Sequence, residues 1–187
     1  MRRNPERRGL LLDAAVEVLA REGARGLTYR AVDTEAGVPA GTASNYFPNR
    51  DDLLHQISVK IHERLMPSEE SIEESLALPR DKRLVERFMH DIVARADADR
   101  ASYLAMMELR LEATRRPSLR TALTKTISDN LDFNIGFHVE AGLPGDRTTV
   151  VLLYLAMSQL IVERLTLPDV LSTVDQDALV AAMVDRF

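Results

Sequence analysis

Between residues 37 and 47 the chain reads GVPAGTASNYF, a turn signal followed by short hydrogen-bonding side chains and a closing aromatic pair. The carboxamide of Asn45 carries a donor beside an acceptor, the complement of an adenine edge, and the hydroxyl of Ser44 can reach several base edges. Ala40 and Gly41 leave room for a close backbone approach and offer apolar contact to a thymine methyl. Thr28, Thr42, Tyr46 and Arg50 are types that hold anionic oxygens without reading sequence, and Tyr29 and Arg30 lie close enough to reach bases or phosphates beside them. The chemistry available here is recognition rather than bond making.

Such residues need a scaffold, and the flanking pattern predicts one. Leu10, Leu11, Ala14, Ala15, Val18 and Leu19 recur at helical spacing until Gly23. Thr28 is placed to cap a short second helix, with Leu27 stapling to Val32, and Gly37 turns the chain after Ala36. A third helix over 40–47 would put Ala43 and Phe47 inward and Gly41 and Asn45 outward, flanked by Thr42 and Ser44. Pro48 ends it, and Asn49 caps a fourth helix whose apolar positions Leu53, Leu54, Ile57, Ile61 and Leu65 run to Pro67. Two short helices joined by a tight turn and braced on both sides make a helix-turn-helix.

Residues 26–54, GLTYRAVDTEAGVPAGTASNYFPNRDDLL, resemble the TetR family of bacterial transcriptional regulators. The resemblance lies in the Leu-Thr helix start, the Ala-Gly-Val turn, Gly-Thr in the third helix, the aromatic pair before a break, and the polar cap before Leu-Leu. It implies an all-α fold, a double-stranded DNA operator, a homodimer, and a small-molecule effector held by the C-terminal helices. It also implies that Tyr46 and Arg50 hold the DNA backbone. The family commonly has Ser or Thr where this chain has Pro39, so the cap of the third helix is lost or moves to Val38. A larger residue than Ala43 and an aromatic in place of Ser44 are also usual there.

Charge agrees with a DNA-facing N-terminus. The net charge is −5, but residues 1–66 hold 10 Lys and Arg against 9 Asp and Glu, while residues 67–187 hold 14 against 20. Only the first third can approach phosphates comfortably. Arg2, Arg3, Arg7 and Arg8 are candidates for a basic arm. The absence of cysteine excludes disulfides and thiolate metal sites, and neither a metal nor a cofactor is expected. Asp13 and Glu17 interrupt any signal-peptide core, and the 15-residue uncharged run from Thr148 to Val162 is short and polar for a membrane span, so the expectation is cytoplasmic. The segment HERLM lacks a second zinc-binding histidine, and no Gly-x-Ser-x-Gly elbow or phosphate-cradling glycine loop occurs, so no enzyme is expected.

Beyond Pro67, SEESIEESLALP reads as an acidic connector, followed by helices near 80–98, 102–115, 118–140, 147–165 and 175–186. Glu108, Glu112 and Arg115 share one arc, expected to be solvent-facing, while Arg110 projects among Tyr103, Met106 and Met107. Asn130, Asn134 and His138 recur every four residues between apolar arcs that include Phe133 and Phe137. A polar stripe so placed needs a partner, whether a ligand, a second subunit or the core itself. Tyr103, Met107, Arg110, Asn130, Phe133, Asn134, Phe137 and His138 are the candidate effector residues. The expected division is a helix-turn-helix domain over 1–48, a connecting helix over 49–67 and an effector-binding and dimerisation domain over 68–187. The reading is a ligand-responsive repressor on a palindromic operator. Its alternatives are a helical binding protein or enzyme without DNA binding, and a DNA-binding activator without ligand.

Overall fold

The computed structural model describes residues 4–186, the side chains of Glu69 and Leu76 excepted, and consists of helices with no strand among the described residues. In chain order these are α1 (Pro5–Gly26), α2 (Tyr29–Glu35), α3 (Thr42–Tyr46), α4 (Arg50–Leu65), α5 (Glu69–Leu76), α6 (Lys82–Ala98), α7 (Arg100–Ala113), α8 (Pro117–Glu140), α9 (Arg147–Thr166), a 3-10 turn (Pro168–Leu171) and α10 (Gln176–Asp185). The all-α expectation holds. The segment expected to be an acidic connector contains α5, because Ser68 accepts from the Ser71 N–H and so starts a helix there.

Packing divides the chain into two compact units that are discontinuous in sequence. The first comprises residues up to Met66 together with Asp99–Lys125, and the second comprises Pro67–Ala98 and Thr126 onward. This grouping differs from the division expected from sequence, since α7 and the start of α8 pack with the N-terminal helices.

In the first unit, Leu11, Ala15, Val16 and Leu19 of α1 share a core with Val32, Ala43, Phe47, Leu53, Leu54, Ile57 and Ile61, and with Ala105 and Leu109 of α7. Leu10, expected on the inner face, is largely exposed. Gly23 does not end α1 but kinks it, with φ at 68°. An L side chain is strained at that angle, and a Cβ there would also crowd the Glu108 carboxylate. The kink interrupts the helical ladder. The Ala24 N–H donates instead to Glu108 Oε2 at 3.1 Å, while the Arg50 guanidinium donates to the carbonyls of Ala24 and Leu27.

Thus Glu108 and Glu112 do not form a solvent face. Arg115 of that arc is exposed, but Glu112 is only 9% exposed and accepts from Arg115 at 2.8 Å and Arg116 at 2.9 Å, and Arg116 also donates to Asp51 at 2.6 Å. The hydrogen bond from Arg115, and next that from Arg116, hold the Glu112 carboxyl below its ordinary pKa. Arg64 likewise ties α4 to Asp13 of α1 at 2.7 Å.

In the second unit, Leu84, Val85, Leu143, Leu153 and Val184 form one apolar cluster and Met157, Leu160 and Val180 another. Asp146 and Thr149 cap α9 reciprocally, and Arg164 joins α9 to Asp97 of α6 and Gln176 of α10. α9 extends beyond the uncharged run seen in the sequence and by length and composition alone could cross a bilayer. One face of it, Thr149, Val150, Leu153, Met157, Leu160, Ile161 and Leu165, is buried against protein, while Leu152 and Leu155 are exposed.

A carboxylate whose pKa is lower folded than unfolded stabilises the fold above its unfolded pKa, and this contribution is lost as pH falls through the folded value. Glu112 should therefore support the first unit at neutral pH and cease to do so in acid. Glu112→Gln is expected to cost about 1 to 3 kcal/mol at pH 7 and to flatten the acid side of the stability profile, measured by urea denaturation at a series of pH values.

Candidate nucleic-acid interface

The turn between α2 and α3 is closed from α2: the Gly37 N–H donates to the Thr34 carbonyl at 3.1 Å and the Val38 N–H to that of Asp33 at 3.0 Å. Gly41 then takes φ of 87° as the residue before α3, a conformation costly for any L side chain. Consequently α3 is shorter than expected. It covers Thr42–Tyr46 and leaves Ala40 and Gly41 in the preceding turn, exposed at the entrance to the helix. Neither Pro39 nor Val38 caps it.

The cap comes from Asp33. This carboxylate is 3% exposed and accepts from the Gly41 N–H through Oδ2 and from the Ala43 N–H through Oδ1, both at 2.7 Å. A carboxylate oxygen at the start of a helix satisfies N–H groups that the helix leaves over. The sequence reading missed Asp33. Its signal was indirect: once Pro39 occupies the usual capping position, the N–H groups that follow need an acceptor from elsewhere.

With that end fixed, the side chains of α3 divide cleanly. Ala43 and the adjoining Phe47 are fully buried, whereas Ser44 and Asn45 are exposed. The Ser44 hydroxyl donates to the Gly41 carbonyl at 2.9 Å and that of Thr42 to Pro39 at 2.5 Å, which leaves their oxygens able to accept. Tyr46 is half-buried against the core. On α2, Thr28 is exposed and its hydroxyl caps Ala31 at 3.1 Å, and Arg30 is exposed.

Two sequence candidates are differently employed. Arg50 is committed to the carbonyls of Ala24 and Leu27, so its donors brace the α1–α2 junction instead of facing outward. The ring of Tyr29 packs on the core and its hydroxyl is buried without a partner, and this burial, aided by Asp52, raises its pKa. Neither role is legible locally, because both depend on which helix end lies opposite. Arg8, considered for a basic arm, bonds Gln56 and lies over the Phe47 ring at 5.6 Å; Arg2 and Arg3 fall outside the described residues.

The candidate effector residues are distributed over both units. Tyr103 and Met107 are half-buried and Arg110 is exposed on α7, in the first unit, so Arg110 does not project into an apolar face as expected. In the second unit Phe133 and Asn134 are exposed, and the Asn134 amide donates to the Asn130 carbonyl at 2.9 Å and side-chain oxygen at 3.0 Å. His138 is buried and donates to the Pro144 carbonyl at 2.8 Å, closing the turn after α8. Phe137 stands between Phe88, edge-on at 6.0 Å, and Phe133, stacked at 6.5 Å. The polar stripe therefore acts in part as local structure.

A short exposed polar helix, held by its neighbour at a fixed turn, is the reading head of a helix-turn-helix DNA-binding regulator. Residues 11–57 match the model of bacterial regulatory proteins of the tetR family, and residues 80–187 match the tetracyclin repressor-like C-terminal domain. The chain belongs to the TetR family and is a ligand-responsive DNA-binding transcriptional regulator.

Solved structures share the fold. A transcriptional regulator from Rhodococcus sp. Rha1 is 19% identical with a TM-score of 0.72, the match covering 98% of this chain and 95% of that one. A TetR-family member from Streptomyces coelicolor A3 is 26% identical with a TM-score of 0.70, over 97% and 98% of the two chains. The multidrug binding protein EbrR, complexed with malachite green, is 26% identical with a TM-score of 0.65, over 97% and 98%. No curated protein sequence is significantly similar to this chain.

If Asp33 holds α3 in place, Asp33→Ala should cost about 1 to 3 kcal/mol and weaken binding to specific and nonspecific duplexes alike. Denaturation and mobility-shift titration check the two halves. Arg50→Ala should destabilise the first unit while leaving the slope of log affinity against log salt unchanged, since no phosphate contact is removed; a slope shallower by about one per subunit would restore Arg50 to the DNA backbone.

Proposed function

We propose that this regulator is a homodimeric repressor whose two α3 helices enter successive major grooves of a palindromic operator, with half-sites about one helical turn apart or slightly more. The observation carrying this reading is the division of α3: Ala43 and Phe47 are anchored in the core, and Ser44 and Asn45 stand free on the outer side. Asn45 is the bidentate reader and Ser44, whose proton goes to the Gly41 carbonyl, an acceptor, while Ala40 and Gly41 allow the turn to lie close to the groove wall. Thr28, Thr42 and Tyr46, with Arg30, hold phosphates on either side.

Dimerisation falls to the second unit. Val139 of α8 and Leu152 and Leu155 of α9 are large apolar residues left 45% or more exposed, a burden that a second copy would relieve. The effector is a small molecule taken up by the C-terminal helices. EbrR, with the same fold, is complexed with ethidium and with malachite green, which supports a pocket of this general kind. Effector binding favours subunit geometries with the wrong half-site spacing, and linkage requires operator DNA to weaken effector binding by the same factor. A repressor of this kind acts in the cytoplasm.

Selection from random DNA should return a two-fold symmetric motif for the wild type. Asn45→Ala should relax one position in each half-site, at about 1 to 3 kcal/mol for the lost bidentate contact. A separate measurement tests the dimer: Leu155→Glu should give a monomer in light scattering, with the helical content retained and operator affinity greatly reduced. An unchanged motif would remove Asn45 from base readout, and an unaltered dimer would place the subunit contact elsewhere.

A further inference from the structure

α6 turns Val85, Phe88, Met89 and Val93 toward the apolar clusters of the second unit. Arg95 follows Phe88 by seven residues and buried Leu84 by eleven, two and three turns respectively, so all three lie on one side of the helix. Several cations elsewhere in this unit are matched. Arg164 spends two nitrogens on Asp97 and a third on Gln176, Lys82 donates to the Asp185 carbonyl, and Arg147 reaches Asp132.

Arg95 differs from these. Its Nε is buried with no hydrogen-bond partner, and among the described residues none supplies an acceptor to the rest of its guanidinium. A lysine so placed could shed its proton, but a guanidinium remains charged and keeps its donors. Arg95 is half-buried, and an Nε held out of water without an acceptor is costly; its natural complement is a planar oxyanion taken in a forked grip by Nε and an adjoining Nη. On the same side of α6, about 10 Å away along the axis, Phe88 begins a run of three rings through Phe137 to Phe133, whose outer ring is 56% exposed.

We propose that Arg95 and the Phe88–Phe137–Phe133 rings form a subsite for an aromatic carboxylate, the carboxylate held by the guanidinium and the flat ring resting on the phenylalanines. This rests on the reading of the chain as an effector-responsive regulator and names the effector's chemical class. The separation of the two parts suits one or two fused rings bearing the acid. It also sets this chain apart from a site made for cationic dyes, since a guanidinium repels them.

The full chain, titrated with 2-naphthoate, with its neutral amide and with ethidium, tests the assignment through ligand fluorescence, with operator release followed in parallel by mobility shift. Naphthoate should bind the wild type about tenfold or more tightly than the amide and should release the operator. Arg95→Met should abolish that preference by weakening naphthoate alone, and Arg95→Lys should restore part of it. Equal affinities of the wild type for acid and amide, no saturable binding of naphthoate, or an Arg95→Met variant that weakens both ligands alike would overturn the proposal. Should Arg95→Met fail to fold, the acid-to-amide ratio of the wild type decides alone. Operator release by ethidium together with indifference to the carboxylate would sink the subsite and leave the regulator standing. Failure to bind any selected duplex would sink the repressor reading, while the acid-to-amide ratio would still judge the subsite.

Discussion

A single buried carboxylate fixes the part of this molecule that meets DNA. Asp33, on the helix before the turn, receives two backbone N–H groups from the first residues of the helix after it. A five-residue helix cannot hold its own direction, because nearly all its N–H and C=O groups are terminal. Anchored at its start by charge-assisted bonds and at its end by fully buried Phe47, it presents Ser44 and Asn45 with little freedom to lose on binding. The positive-φ glycine at position 41 completes the device by aiming its own N–H at the same carboxylate.

The rest of the first unit keeps that device in position. At the kink of α1 the interrupted ladder leaves donors and acceptors of both kinds, and they are answered from two different helices: Glu108 of α7 takes the Ala24 N–H, and Arg50 of α4 donates to the carbonyls. Glu112 and Arg116 extend the same connection from α7 to Asp51 in the first turn of α4. Glu112 and the Ala24 N–H are withdrawn from water, so losing a partner there would strand the group left behind. α7 is thus structurally part of the DNA-binding unit, although it lies far from it in sequence.

Much of this was legible beforehand. Thr28 and Asn49 cap the helices that their positions announced, the inward pair Ala43 and Phe47 is buried, and the periodicity placed the later helices within a few residues. Those signals are local: a cap needs only the next few N–H groups, and an apolar stripe requires burial whatever covers it. Several readings that failed concern charged residues. Glu112 and Glu108 were assigned to water because a charge on a helix is ordinarily solvated.

What the sequence determined by itself, then, is the helical architecture, the helix-turn-helix and its outward residues, all of which follow from spacing within a few turns of one chain segment. The tertiary structure alone decided how the charges are used: that Asp33 replaces the cap Pro39 cannot supply, that Arg50 braces a helix junction, that His138 closes a turn through Pro144, and that Arg95 is left without a partner. The physical reason is range. Apolar patterning is written in the order of the residues, but a buried ion is defined by the group opposite it, and that group arrives from another part of the chain only when the helices have packed.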